Sequence, residues 1–437
     1  MNNAIAGSLQ EAVASGPDGA APPALLVGYS GGLDSTALLH ALTMAHPGKV
    51  RAIHVHHGLH PEADGWAIHC ERTCDALGVP LVVARIDVAD IAAGPEAAAR
   101  AARHAAFRAH LHGGEWLALG HHRDDQAETF LLRALRGSGP DGLAAMRPWR
   151  RFGTGKLWRP FLGISRDALL AYARAHGLAW IDDPSNDDDA FDRNFLRNGV
   201  MPLLRKRWPQ ADSAFARSAA LCESAHALLA DSDLADLERV HGGDASERLL
   251  STEALLRLPR GRRARVLRLW VRTLGLPPLP HDGIRRIEAE VLAAGHDAQP
   301  RYDWGAARIQ RWRQLLHAGS RQPPFPAGWM RLWDGRMPLD LPEGGRLSLS
   351  GGSGFRQPVM VRPRLGGERI DLPFRSHSHA LKHVLQEHSM PPWDRQRLPL
   401  LLDPADGTVL AAGDRIRSRH FQRWPIDEYA SLRWQLT

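Results

Sequence analysis

The first half of the chain alternates short apolar runs with helical stretches, and this alternation limits the fold more than any other feature. Ala24 to Val27, Ala52 to Val55, Leu81 to Ile86 and Trp116 to Leu119 read as strands. A helix from about Ser35 and helix-like segments near 62–77 and 95–111 separate them. Strands that alternate with helices predict an α/β fold with a doubly wound parallel sheet. Such sheets bind ligands at the carboxyl ends of their strands, and the polar clusters of this half fall at those ends.

The rest of the chain sorts by pattern. From about 212 to 318 it is rich in Leu, Ala and Arg at helical spacing and shows no strand alternation. A Pro/Gly-rich stretch around 319–330 reads as a linker. Short strands with a helix near 378–388 follow. The expected organisation is a catalytic α/β domain over 1–211, a helical domain over 212–330 and a small mixed α/β domain over 331–437.

Composition narrows the function classes. The net charge of +7 favours a polyanionic partner, although only Lys49, Lys156, Lys206 and Lys382 are lysines among 55 basic residues. Such a bias toward arginine also fits genome composition. Three cysteines form no disulfide framework, which points to a reducing compartment. The first thirty residues contain Glu11 and Asp18 but no basic residue, unlike a secretory signal. No apolar run approaches a membrane span. The expectation is a cytoplasmic protein with no membrane contact.

Directly after the first strand comes Ser30-Gly31-Gly32-Leu33-Asp34-Ser35, and a helix begins there. Glycines let the backbone approach an anion, and the helix aims its positive end at the same spot. Ser30 and Ser35 can add hydroxyl donors. Asp34 does not suit a bare phosphate, so it suggests magnesium or a capping role. An ordinary Gly-rich turn capped by Asp or Ser is the alternative. The segment resembles the pyrophosphate loop of the N-type ATP pyrophosphatases, which implies ATP and adenylation. It is no Walker loop, and Gly153-Thr154-Gly155-Lys156 continues into Leu157 without the required spacing.

Two other groups invite chemistry. His54, His56, His57 and His60 admit a zinc site, but no cysteine or carboxylate set completes one. The other reading places one or two rings on a nucleotide pocket and leaves the rest exposed or packed. Cys70 and Cys74 lie one helical turn apart, as on a shared packed face, and Cys222 lies outside the sheet domain. That arrangement argues against a tRNA thiolase.

After the Trp116 strand comes Gly120-His121-His122-Arg123-Asp124-Asp125-Gln126-Ala127-Glu128-Thr129, then Arg136-Gly137-Ser138-Gly139. Asp125, Glu128 and Thr129 share one helical face. A histidine beside carboxylates at a strand end can orient an amine, take its proton or help hold magnesium. Equally, Asp124 and Asp125 can be helix-start acids that complement the dipole.

The whole segment is similar to the signature of the lysidine synthases. Glu96, Arg100, Arg103 and Phe107 match the preceding helix. Arg159-Pro160-Phe161-Leu162, Asp183-Pro184-Ser185-Asn186, Arg193-Asn194 and Arg197 follow in order. In the last domain, Arg362-Pro363-Arg364, Gly366-Gly367-Glu368 and Pro391-Pro392-Trp393-Asp394-Arg395 match as well. His383 and Met390 depart from the usual pattern there.

The resemblance implies ATP-dependent attachment of free L-lysine to the wobble cytidine of an isoleucine tRNA with a CAU anticodon. ATP, Mg2+, L-lysine and that tRNA are the implied partners. It also implies catalytic roles for Asp34, Arg103, His121, Asp125, Glu128 and Arg193. ATP would bind through Ser30, Gly31, Gly32, Leu33, Asp34 and Ser35, with Asp34 as the magnesium ligand. Asp125 and Glu128 would hold the lysine, His121 would assist, and Arg193 with Arg197 would clamp phosphate or pyrophosphate. Arg262, Arg263, Arg265 and Arg268, with Arg362, Arg364, Arg369, Arg395 and Arg397, are candidate RNA phosphate contacts. Trp393 reads as core in preference to a base-stacking platform. Oligomeric state stays open, a homodimer being one option. The rivals are another ligase of the ATP pyrophosphatase class and an RNA-binding protein that has lost catalysis.

Overall fold

The computed structural model describes residues 7, 9, 11, 13, 16, 24–58, 60–86, 95–184, 188, 190–241, 246–280, 282–295, 298–321, 325–342, 344–427 and 429–436. Ser185, Asn186 and the Glu96 side chain lie outside them. The chain divides into two compact units, Met1–Asp231 and Ser232–Thr437.

In the first unit, β1 (Leu25–Gly28), α1 (Leu33–Ala45), β2 (Val50–His56), α2 (Ala63–Leu77), β3 (Leu81–Arg85), α3 (Pro95–His110), β4 (Trp116–Ala118) and α4 (Arg123–Leu135) follow the expected alternation. A hairpin of β5 (Trp149–Phe152) and β6 (Gly155–Trp158) then adds two strands that the apolar pattern did not reveal. The sheet order is β3-β2-β1-β4-β6-β5. All pairs are parallel except β5 with β6. The central strands are buried on both sides, as a sheet covered by helices on both faces must be. Leu38, Leu42, Ala52 and Trp116 belong to one core cluster; Leu26, Ile53, Phe107 and Leu117 belong to another.

This order places the switch in chain direction between β1 and β4. The chain moves outward from β1 to β2 and β3, then returns to β1's other side. The connections leaving β1 and β4 therefore diverge and open a crevice at their carboxyl ends. The Ser30 loop and the His121 segment occupy those two positions.

The second unit corrects one expectation. The middle segment is not helical throughout. Its helices, including Thr252–Arg257 and Arg260–Thr273, pack on an antiparallel sheet of Leu249–Ser251, Leu315–Ser320, Ala307–Trp312 and Arg301–Trp304, in that order. Leu250, Trp270, Ile309 and Leu316 lie in their common core. The strand Ala307–Trp312 alternates buried and half-buried residues, but Arg308 and Arg311 stand among its apolar residues and hide the period. Beyond residue 330 the expected mixed region appears as a five-stranded sheet, a three-stranded sheet and the helix Leu381–Glu387.

The Gly153-Thr154-Gly155-Lys156 stretch is the turn and start of the β5–β6 hairpin. A Cβ at Gly155 would lie 2.0 Å from the Glu115 carbonyl oxygen, so only glycine lets β6 dock on β4. Gly155→Ala is expected to destabilise the protein by about 3 kcal/mol, the upper range for overpacking. Urea denaturation checks this.

Candidate active site at the switch point

Gly31 makes the turn after β1. Its φ is +86°, and a Cβ there would meet Ile181 Cδ1 at 2.6 Å. Gly32 is extended and under no such restriction, so only the first glycine is required by conformation. Gly32 is also the N-cap of α1, and no side chain caps that helix. Its first N–H groups therefore remain available to an anion. Ser35 Oγ donates to the Gly32 carbonyl at 3.0 Å and lies 3.0 Å from Ser30 Oγ. Thr36, which sequence reasoning passed over, braces the same carbonyl at 2.9 Å. Asp34 does not cap. Its Oδ1 is buried and has no hydrogen-bond partner among the described residues.

The second connection comes into direct contact with the first. A Cβ at Gly120 would lie 3.0 Å from the Asp34 carbonyl carbon and oxygen. His122, 1% exposed, then sits among three carboxylates. Its Nε2 is 3.5 Å from both Asp34 Oδ2 and Asp125 Oδ2, and its Nδ1 is 3.6 Å from Asp124 Oδ2. Burial opposes protonation of this ring, but Asp124, Asp34 and Asp125 overcome it and lift the pKa to about 10. Nδ1 of the doubly protonated ring therefore turns to Asp124 and does not accept the Asp125 N–H 3.4 Å away. The Asp125 carboxylate accepts the His122 N–H at 3.0 Å and closes the helix start.

Its neighbour is driven the other way. Burial, aided by Arg159, Arg193 and Arg100 against the pull of Asp125, lowers the His121 pKa to about 3. Its Nδ1 is enclosed without a hydrogen-bond partner among the described residues. His121 is thus a neutral acceptor and His122 a fixed cation. Sequence reasoning singled out His121 and missed His122; a signal lay in the acidic residues two and three places after it.

On the next turn of α4, Glu128 is 1% exposed. Arg193 Nε donates to its Oε2 at 2.8 Å and Arg197 Nε to its Oε1 at 2.8 Å. Both arginines also reach Asp125 Oδ1, at 2.9 and 3.1 Å. Burial raises the Asp125 pKa, but His122 and Arg193 more than offset it and hold the carboxyl below its usual range. Asp124 is held at about 2 in the same manner, by His122, the Arg166 N–H and Arg205 against burial. Arg193 lies on the helical segment Asp192–Phe195, and Arg197 lies within the π-helical turn Leu196–Val200 that joins it to Met201–Arg207. Such turns recur where a helix must re-aim a functional side chain.

Asp34, His121, Asp125, Glu128 and Arg193 thus converge at the crevice. Arg103 lies on α3, half-buried, where its charge helps burial hold His57 below its ordinary pKa. The histidines on and just after β2 disperse. His54 Nδ1 is 3.1 Å from the Tyr29 carbonyl, His56 meets Asp64 at 3.2 Å, and His60 stacks on Trp66.

The candidate RNA contacts are largely engaged. Arg262 and Arg265 pair with Asp236 and Asp233 at 2.6 Å, and Arg263 pairs with Glu288 at 3.0 Å. Arg268 stays exposed. Arg362 meets Glu368 at 3.0 Å and Arg364 meets it at 3.9 Å. Arg369 donates to Ser378, Arg395 to the Met390 carbonyl, and Arg397 is engaged too. One face of the half-buried Trp393 ring stacks on His317, with ring centroids 4.4 Å apart.

An anion-binding loop and an acidic, arginine-bridged helix at one switch point define an ATP-using class of enzyme. Residues 1–204 match the PP-loop domain family. Residues 250–317 match the TilS substrate binding domain and residues 359–434 the TilS substrate C-terminal domain. The tRNA(Ile)-lysidine synthase of Xanthomonas campestris pv. campestris (strain 8004) is 53% identical over 423 residues, which are 95% of this chain and 96% of the relative. Those of Xylella fastidiosa (strain 9a5c) and Yersinia pestis are 48% and 40% identical, covering 96% and 86% of each chain. The chain belongs to the tRNA(Ile)-lysidine synthase family.

The His122 pKa is raised above its unfolded value, so its ion pairs contribute fully below about pH 6.5 and are lost as pH rises through about 10. In metal-free buffer, the stability gap between the wild type and His122→Gln should therefore shrink between those limits. Urea midpoints measured against pH check this.

Proposed function

We propose that the protein ligates free L-lysine to the wobble cytidine of CAU-anticodon tRNA(Ile) at the expense of ATP, changing its codon from AUG to AUA and its identity from methionine to isoleucine. Family membership supports this reading. The observation that carries it is the convergence of the Ser30–Ser35 loop with Asp125, Glu128 and neutral His121 at one crevice.

In the first step the cytosine carbonyl oxygen attacks the α-phosphorus of ATP, and the bond to the bridging oxygen breaks as pyrophosphate leaves. The first-turn N–H groups of α1 and the Ser30 and Ser35 hydroxyls face the charge that develops on that group. The orphaned Asp34 Oδ1 fits one ligand of a magnesium ion whose other ligands would be phosphate oxygens. When bound, the ion neutralises charge on the departing pyrophosphate.

In the second step the neutral lysine ε-amine attacks the activated ring carbon and AMP departs with the bonding electrons. Asp125 and Glu128 position that amine, and His121 Nδ1 accepts a hydrogen bond from it. Arg193 and Arg197 now hold these carboxylates. Phosphate oxygens of the nucleotide in the crevice compete for the two arginines and so make the carboxylates accessible to the amine. They also offset the cations that depress His121, which improves that ring as a base.

Sulfur transfer is disfavoured for a specific reason. Cys70 and Cys74 are fully buried, and burial raises both thiols to about 12. All three cysteines are free thiols, which suits the cytoplasm as the place of action. Among the described residues no helix is long and apolar enough to cross a membrane.

Labelled lysine should be incorporated into a CAU-anticodon tRNA(Ile) transcript only with ATP, and not into methionine tRNA. Asp125→Ala should slow transfer by about 10²-fold or more, the usual scale for a positioned acid–base group. Transfer at the wild-type rate would remove Asp125 from the mechanism.

A further inference from the structure

Past Glu128, α4 runs along a cavity of about 450 Å³ that the chemistry above leaves unused. Among the described residues its wall carries Arg100, Arg133, Arg136 and Arg193 with the acid Asp192 and the ring of Phe191. Arg193 is engaged by Asp125 and Glu128. Arg133 donates to the carbonyls of Gly142 and Ala145 at 2.7 and 2.8 Å, neutral acceptors that fix the side chain without cancelling its charge. Arg136 meets Asp192 at 3.5 Å where both are mostly exposed, a weak pair in water.

The like charge continues behind the wall. Arg159 is 5% exposed, donates to the Arg147 carbonyl at 2.8 Å, and its Nε has no hydrogen-bond partner among the described residues. Burial lowers its pKa to about 10, with Arg150, Arg100 and Arg133 adding to the effect. A buried guanidinium behind a wall that already carries arginines favours an anion in front of it.

We infer that this cavity receives the nucleotide next to the target cytidine, with its phosphate among Arg100, Arg133 and Arg136 and its base on the Phe191 ring. The inference rests on the proposed function. Cations beside a partly exposed aromatic ring are the combination that holds unpaired nucleotides, and a bare carboxylate would leave most of this volume empty. The placement suits a neighbour of the reacting base. Thr129 on the wall directly follows Glu128. Arg133 and Arg136 lie roughly 7.5 and 12 Å further along the helix axis. Phe191, 37% exposed, shows its ring to solvent, although a large apolar side chain gains by burial. Phosphate contacts alone would position the strand; the ring adds contact with the base itself.

The test uses the full chain with Phe191→Ala, Phe191→Tyr and Arg136→Gln. Lysine transfer is measured while tRNA, ATP and lysine are varied separately, and binding of a labelled anticodon stem-loop is measured by anisotropy. Phe191→Ala and Arg136→Gln should each raise the tRNA KM and the stem-loop Kd about tenfold, near one lost stacking or charge contact. The KM values for ATP and lysine should stay within about twofold, and Phe191→Tyr should restore binding. Arg136→Gln should also lower the salt dependence of binding by about one phosphate contact. A stem-loop lacking the base beside the target should bind wild type about tenfold more weakly, with no further loss in Phe191→Ala.

Unchanged tRNA KM and Kd in both variants would overturn the inference. So would a rise confined to the lysine KM, which would assign the cavity to the lysine carboxylate. If wild type transfers no lysine while the variants still weaken stem-loop binding, the proposed reaction falls and the nucleotide pocket stands.

Discussion

The site depends on a carboxylate that has almost no contact with water. Glu128 is buried on α4, and Arg193 and Arg197 hold it from a helical run 65 and 69 residues later in the chain. Removing one partner of such a pair costs about 3–5 kcal/mol, because the remaining charge stays desolvated. The same two guanidinium groups bind Asp125, and Asp125 binds the charged His122. His122 in turn meets Asp34 on the anion-binding loop. One chain of ionic contacts therefore links the loop after β1, the helix after β4 and the π-helical turn at Leu196–Val200.

That chain explains why adjacent histidines differ so sharply. His122 sits within reach of three carboxylates and is held as a cation at neutral pH. His121 is enclosed on the side where Arg100, Arg159 and Arg193 gather, and remains neutral. The separation of charge assigns work to each: His122 organises the acids, and His121 is left able to accept a proton. Anionic substrates would enter a place where Arg193 and Arg197 already hold carboxylates, so binding would weaken the internal pairs as it formed new ones.

Arginine does different work in the second unit. The helix Arg260–Thr273 looks like a basic surface, yet Arg262, Arg263 and Arg265 are each paired with an acid from another helical segment. These residues join elements together, which is a structural use of a charge pattern that resembles an RNA-binding face. Arg362, Arg364 and Glu368 form a similar local cluster. A positive count along a helix therefore says little about which charges face a partner until their carboxylates are located.

Much of this protein is determined locally, and that part was legible in the sequence. The strand–loop–helix at Ser30 to Ser35 follows from an apolar run, a glycine that must turn and a helix start. The parallel sheet follows from repeated alternation, and the acidic face at Asp125 and Glu128 follows from helical spacing. The β5–β6 hairpin and the sheet of the middle segment were not legible. Charged residues interrupt their apolar period, and Gly155 reveals its purpose only against the Glu115 carbonyl of another strand. The opposite charge states of His121 and His122 were only half legible: Asp124 and Asp125 lie close after His122 in the chain, but Asp34 and the arginines around His121 come from distant segments. Local patterns depend on neighbours along the chain and can be read there, whereas charge state and ion pairing depend on neighbours in space.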